Sequence, residues 1–305
     1  MIHVFIVNSR AGDGFFSEEL RNKLDSRKDF SYYIVHTRAG HAEADTVRHI
    51  LTLFEGEKIR IYSCGGSGTF CNILNGIPNP ENVELAFYAK GQTNDFLKAF
   101  GDDRDQFSDI DSLIDGTAHM IDYIRTEHGC ALNTCSIGSD YIQVVKTRQY
   151  KALRAFGVHA PYICAMAYAL FFSRNQSYEI SVDGKKYNDK FIEILFGNGG
   201  VIGGTFCFDK DINYTDGKGK LDIIIRGGLI RKIKTFILLN FGRSDVVDKT
   251  NISTYTSGFR IRRTDGAAFG VNFDGEEQPP QKEWNVEIVN KGLNFVIPKG
   301  VTIDE

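Results

Sequence analysis

The sequence predicts an α/β domain followed by a β-rich one, and three observations carry that prediction. Over residues 1–127, short apolar and β-branched runs alternate with segments of helical spacing, the pattern of a parallel, doubly wound sheet. A glycine-rich turn, Gly65-Gly66-Ser67-Gly68-Thr69, joins one apolar run to a helical segment. After residue 128 the texture changes to short strands separated by Gly, Asp and Asn turns, which reads as a β-sandwich. The domains are therefore expected at 1–127 and 128–291, with the tail 292–305 able to return to the first.

His3 to Val7 reads as the first strand, ending in the turn Asn8-Ser9-Arg10-Ala11-Gly12. Phe16 to Leu24 has helical spacing, Tyr32 to His36 is the second strand, and Ala42 to Leu53 the second helix. Ile59 to Cys64 leads into the glycine turn, Phe70 to Ile77 follows as a helix, and Glu84 to Tyr88 is the fourth strand. Asp109 to Tyr123 reads as the last helix of this half, on Ile110, Leu113, Ile114, Ala118 and Ile121. In the second half, strands are expected near Cys130–Ile137, Tyr178–Val182, Lys190–Phe196, Leu221–Ile225, Gly258–Arg262 and Val286–Val289. Helices are expected over Ala160–Phe172 and Leu229–Phe241.

A length of 305 residues accommodates two cores. The net charge of −3 gives no general attraction to nucleic acid, so an anionic partner must meet local basic patches. The start at Met1-Ile-His-Val-Phe has no leader pattern, and the apolar stretch Ala160 to Phe172 is too short to span a bilayer. A cytoplasmic protein is expected. The six cysteines form no Cys-x-x-Cys pair, and His128 with Cys130 lacks the remaining ligands of a zinc site, so reduced, buried thiols are expected.

Strand, glycine turn and helix together place free backbone N–H groups and the positive end of a helix dipole in one concavity, a site for phosphate. Residues Gly65, Gly66, Ser67, Gly68 and Thr69 are its candidates; an ordinary tight turn is the plain alternative. Thr37 ends the second strand and can offer a hydroxyl to phosphate or cap the next helix. Gln92, Thr93, Asn94 and Asp95 follow the fourth strand, with Asp95 either a site carboxylate or a helix cap. Asp216-Gly217 and Asp222 can hold a hard cation through oxygen or form a surface turn. Asp274-Gly275-Glu276 lets a carboxylate project from a sharp turn to take a proton from a hydroxyl, or is an acidic hairpin. Two basic amphipathic segments, Lys146–Arg154 and Leu229–Phe241 with Arg231, Lys232 and Lys234, can touch anionic headgroups or pack on the sheet.

Taken in order, these stretches resemble the diacylglycerol-kinase catalytic family, which includes soluble bacterial lipid kinases, sphingosine kinases and ceramide kinases. The likeness covers nearly the whole chain. Asn8 to Gly12 resembles the family's Asn-Pro-x-Ser-Gly, and Thr37 with Gly40-His41-Ala42 its Thr and Gly-His-Ala. Gly65 to Thr69 with Asn75-Gly76 resembles Gly-Gly-Asp-Gly-Thr and Asn-Gly; Gly91 to Phe96 resembles Gly-Thr-x-Asn-Asp-Phe. Gly138-Ser139-Asp140, Gly197 to Gly199 with Gly203-Gly204, Asp216-Gly217 with Leu221-Asp222, and Asp274 to Glu276 complete the series.

The resemblance implies an ATP-binding cleft between an α/β nucleotide-binding domain and a β-sandwich lipid-substrate domain. It implies Glu276 as the general base, with Asp274, Asp95 and Asp122 as further catalytic acids. Asn8, Thr37, the glycine turn, Gln92 and Thr93 would bind nucleotide, and Asp216 would hold magnesium with the main chain near Asn213 and Lys218. The substrate would be a lipid alcohol at the membrane surface, reached by peripheral contact, with a homodimer left open. Three positions depart from the family pattern: Ser67 replaces the acid of the glycine loop, Gln92 a threonine and Asn72 a glutamate. A serine hydroxyl brings no negative charge to magnesium–ATP, so a weakened or inactive nucleotide- or lipid-binding relative is the second reading. A kinase of a soluble substrate such as NAD is the third.

Overall fold

Residues 1–8, 16–37, 43–91, 94–157, 159–173, 175–204, 206–209, 211, 213–225, 230, 233–234 and 251–302 are described in a computed structural model. The expected sites Gln92 and Thr93, the segments Ser9 to Gly12 and Gly40 to Ala42, and Arg231 and Lys232 of the expected basic helix lie outside the described residues. The chain divides into two compact units, residues 1–123 with 290–305, and residues 124–289.

In unit 1, strands β1 (Ile2–Asn8), β2 (Tyr32–Thr37), β3 (Ile59–Gly65) and β4 (Glu84–Ala89) pair in parallel in the order β2-β1-β3-β4. Every residue of β3 and β4 is buried, as expected for strands covered on both faces. Strand β2, half-exposed, forms the edge. Helices α1 (Phe16–Ser26) and α2 (Glu43–Leu53) bury Leu20 with Leu24 and Val47 with Ile50, each pair one helical turn apart. Helix α3 (Ser67–Leu74) buries Thr69, Phe70, Cys71, Ile73 and Leu74.

The segment expected as a helix from Asp109 to Tyr123 is corrected by the structure. Helix α4 spans only Ile110–Ile114, and strand β5 runs over Thr117–Thr126. Gly116 lies where the break occurs: a Cβ there would stand 2.3 Å from the Ile297 carbonyl oxygen. Beyond it Ile121, Tyr123, Ile124 and Thr126 favour a strand, and Asp122 therefore lies on β5 rather than at a helix end.

Unit 2 is antiparallel and β-rich. It holds β6 (Gly129–Ala131), β7 (Thr134–Gly138), helices α5 (Ser139–Gln149) and α6 (Ala160–Phe172), β8 (Gln176–Val182) and β9 (Lys185–Gly197). After the short pair β10 (Val201–Ile202) and β11 (Phe206–Cys207) come β12 (Gly219–Ile225), β13 (Ile252–Thr256), β14 (Gly258–Arg263), β15 (Asn272–Phe273) and β16 (Glu276–Glu277). Strand β17 (Glu283–Ile297) begins in this unit and ends in unit 1. Residues 185–191 of β9 pair with β8, which pairs with β14. Its residues 191–197 pair with β12, and 193–197 also with β7. One long strand thus serves two ladders, with Phe191 to Gly197 buried throughout.

The last part of β17 enters the unit 1 core. Phe295 pairs in parallel with Leu85 of β4, and its ring lies 5.8–6.4 Å from those of Phe70, Phe96, Phe100 and Phe107. Burying several aromatic rings together contributes both apolar area and favourable ring geometry.

Candidate functional site

Strand β1 has β2 on one side and β3 on the other, so the connections diverge there, the crevice where doubly wound sheets bind ligands. Asn8 ends β1, and its Nδ2 donates to Thr69 Oγ1 of α3 at 2.9 Å. Gly66 caps α3 with no side-chain bond, and the first helical bond runs from the Phe70 N–H to the Gly66 carbonyl at 3.1 Å. The preceding N–H groups of Ser67, Gly68 and Thr69 stand at the helix start, where helices leave donors without intrahelical partners.

The turn after β4 meets this one. Gly65 O accepts the Lys90 N–H at 2.8 Å, and a Cβ on Gly66 would lie 3.2 Å from Gly91 Cα. Asn94, in the left-handed region at φ 43°, donates Nδ2 to Gly91 O at 3.0 Å. Ser67 Oγ and Asn94 Oδ1 are buried with no hydrogen-bond partner. Two orphaned oxygens beside unspent N–H donors fit a hydrated polyphosphate ligand, which supplies acceptors to the N–H groups and water to the oxygens.

The other expected residues of this unit have local partners. Asp95 accepts from Lys98 Nζ at 3.3 Å and opens a 3₁₀ segment that Asn94 precedes; the cap position belongs to Asn94, which corrects Asp95 as cap. Buried Thr37 points its hydroxyl at Glu43 Oε1 of α2, 3.2 Å away. Asp122, fully buried, accepts the Lys291 N–H at 2.7 Å.

In unit 2 the Asp274-Gly275-Glu276 turn has φ 50° at Asp274 and 88° at Gly275. The Asp274 carboxylate accepts the N–H of Leu132 at 2.7 Å, of Asn133 at 3.1 Å and of Thr134 at 2.8 Å. Such a carboxylate fixes the turn to the loop before β7. Glu276 leads β16, and its carboxylate takes a hydrogen bond from Arg148 of α5 at 2.5 Å. Nearby, Glu193 is buried and accepts the Asp140 N–H at 2.9 Å; burial, then the Asp140 charge, raises its carboxyl well above the ordinary range.

The 213–218 loop carries side-chain oxygens at Asn213, Thr215 and Asp216. Asp216 Oδ1 accepts the Lys218 N–H at 3.0 Å, and Asn213 Oδ1 accepts from Thr215 N at 2.9 Å. One carboxylate with main-chain carbonyls and water suits magnesium in chemical type. Asp222, on β12, is held above the usual carboxylate range by burial. Among the described residues, no group of three His, Cys, Asp or Glu side chains stands together as metal ligands. Three of the expected buried thiols, Cys64, Cys71 and Cys135, are buried, whereas Cys164 on α6 is exposed.

Sequence reasoning named Asn94 and Arg148 only as members of the turn after β4 and of the basic segment Lys146–Arg154, and it missed Glu193. The pairing of Arg148 with Glu276 joins positions 128 residues apart, for which one sequence carries no signal.

Residues 3–126 match the model of the diacylglycerol kinase catalytic domain. A protein of Staphylococcus aureus (strain bovine RF122 / ET3-1) named "Putative lipid kinase" is 25% identical over 222 residues, which cover 71% of this chain and 70% of its own. A diacylglycerol kinase from Bacillus anthracis str. Sterne superposes with a TM-score of 0.75 at 19% identity, covering 98% of both chains, and a second structure from the same source gives 0.73 with the same identity and coverage. The likeness in fold thus extends over both units. Over residues 3–126 the chain is similar to the diacylglycerol kinase catalytic domain.

Proposed function

We propose that the chain is an ATP-dependent lipid kinase that transfers the γ-phosphate to a lipid hydroxyl. The observation that carries the nucleotide half is the turn at Gly65–Thr69, with Ser67 Oγ and Asn94 Oδ1 buried and unpartnered beside the start of α3. There Asn8, Thr69 and the N–H groups of residues 67–69 would hold the phosphates. Glu276 would accept the proton of the lipid hydroxyl, while Asp274 holds its turn in place. Magnesium, when bound, supplies charge neutralisation to a reaction that depends mainly on positioning. Asp216 would hold a structural ion with the main chain of Asn213 and Lys218.

The lipid substrate is favoured by the relatives' names and by the surface of unit 2. Residues 141–178 contain five cations and no carboxylate, in a chain of net charge −3. On α6 the exposed side chains include Ile163, Phe171 and Phe172, and Phe156 just before it is 84% exposed. Apolar rings beside cations suit peripheral contact with an anionic bilayer. Among the described residues no helix is long and apolar enough to cross a membrane.

The test is phosphate transfer from labelled ATP to a panel of extracted lipids in vesicles, with Glu276→Gln as control. Labelled lipid with wild type and none with Glu276→Gln is expected. Nucleotide binding without transfer to any lipid supports the second reading, a binding module, which Ser67 favours because it brings no carboxylate to the glycine turn.

A further inference from the structure

We propose that Arg148 is the positioning residue for Glu276 and that α5 is the strut carrying it; the inference rests on the reading of Glu276 as the base. Helix α5 packs against α6, yet none of its residues is fully buried. Polar contacts also run along its length. At the amino end, Glu193 accepts the Asp140 N–H and the Ser139 hydroxyl, and Asp140 accepts from Asn272 Nδ2 at 2.7 Å. Asn272 opens β15, the strand that leads into the Asp274–Glu276 turn. One residue on, Tyr141 donates its hydroxyl to Glu277 at 3.1 Å, and Gly270 lies so close beneath it that a Cβ would meet the Tyr141 ring at 2.3 Å.

Arg148 stands seven residues from Tyr141, two helical turns along the same face. One terminal nitrogen of its guanidinium donates both to Glu276 Oε2 and to the Gly275 carbonyl, 3.2 Å away. Binding the carboxylate and the backbone of its own turn together removes rotations that a glutamate on a two-residue strand would otherwise have. The helix is thereby tied to the hairpin at three points, Asn272, Glu277 and Glu276. Both side chains are partly screened from water, Glu276 18% and Arg148 34% exposed. A base must be aligned with the proton it takes, and a displacement of about 1 Å can cost about 100-fold in rate.

The test measures lipid phosphorylation by Arg148→Ala, Arg148→Gln, Arg148→Lys and Glu276→Gln, each checked by circular dichroism, alongside sedimentation with anionic vesicles. For Arg148→Ala the expected result is kcat lower by about 10–100-fold, with KM for ATP within about two-fold and vesicle sedimentation unchanged. Arg148→Lys, retaining a donor of shorter reach, should recover part of the loss; Arg148→Gln serves where the alanine variant does not fold. An unchanged kcat in a folded Arg148 variant, with Glu276→Gln inactive, overturns the positioning role. A loss confined to vesicle sedimentation and to KM for lipid overturns it too, and makes Arg148 a headgroup contact. Full activity in Glu276→Gln, or no transfer by wild type, removes the base reading itself and this inference with it.

Discussion

A Cβ placed on Gly91 would stand 2.4 Å from the Cα of Gly66 and 2.6 Å from Asn94 Oδ1. The turns after β3 and β4 therefore touch backbone to backbone, and both glycines serve that contact as well as any ligand. Gly91→Ala should destabilise the protein by about 1–3 kcal/mol, the usual cost of overpacking. Gly66→Ala, meeting Gly91 at 3.2 Å, should cost less. Urea unfolding of the two variants measures this, and a Gly91→Ala midpoint equal to wild type would contradict the close approach. Gly66→Val should lose nucleotide affinity and stability together, so the smaller substitution is the cleaner probe of the proposed phosphate site.

His3 ties stability to pH. Its Nδ1 lies 2.7 Å from the Tyr62 hydroxyl, and burial, followed by the Arg60 charge, lowers its imidazole to about 4. An unfolded histidine titrates near 6.5, so between these values the unfolded chain binds a proton that the folded chain refuses. Stability is then fully present above about pH 7 and falls as pH drops through 6.5 towards 4. His3→Gln should flatten that dependence, by up to about 3 kcal/mol across the window. Urea midpoints at pH 7.5 and 4.5 for both proteins decide it; parallel losses would show that His3 does not contribute.

Burial explains what is legible in the sequence and what is not. Strands β3 and β4 are covered on both faces and read as mainly apolar runs, broken only by Arg60, Ser63 and Glu84, and the glycine turn announces itself by composition. Ile110, Leu113 and Ile114 make a real helical turn, but Ala118 and Ile121 continue its spacing by coincidence across Gly116. Helix α5 buries no residue fully, and its apolar spacing stops at Val145, which leaves too short a stripe to mark the helix. The site divides the same way. Motifs mark Gly65–Thr69 and Asp274–Glu276, whereas the attachment of Asp274 to residues 132–134 and of Arg148 to Glu276 exists only once the chain has folded.

Glu193 should make the protein less stable as pH rises. Burial and Asp140 keep its carboxyl protonated above the ordinary carboxylate range. The unfolded chain gives up that proton while the folded chain holds it, so stability declines with increasing pH over that interval. In Glu193→Gln an amide oxygen can still accept from Ser139 and the Asp140 N–H, and nothing titrates. A Tm above wild type by about 2 °C or more at pH 8 is expected, with a smaller gap at pH 5. A lower Tm at pH 8 would mean that the ionised acid is the stable form.

Asp274 and Glu276 should separate by experiment into a structural and a chemical carboxylate. Asp274 accepts three main-chain N–H groups, and Asp274→Asn turns an amide NH₂ towards donors. A loss of about 2 kcal/mol or more in stability is expected. Glu276→Gln keeps an acceptor for Arg148, so its unfolding midpoint should stay within about 0.5 kcal/mol of wild type while transfer is lost. Equal destabilisation by the two changes would contradict the division.

Ser67 decides whether the glycine turn is weakened or adapted. Its hydroxyl is buried at the start of α3 without a hydrogen-bond partner, at the position where the family pattern carries an acid. Ser67→Asp would place a carboxylate against the helix amino-terminus, where the dipole favours negative charge and where it can recruit magnesium. If the serine is a loss, magnesium-dependent lipid phosphorylation should rise in Ser67→Asp, by up to about 100-fold for one restored electrostatic group. Glu276→Gln in the same background should abolish the gain. If the serine is an adaptation, the new charge opposes the triphosphate at close range, and nucleotide binding falls while wild type transfers phosphate well. Titrating both proteins with ATP, with and without magnesium, separates the cases, because a magnesium contact improves affinity only when the ion is present.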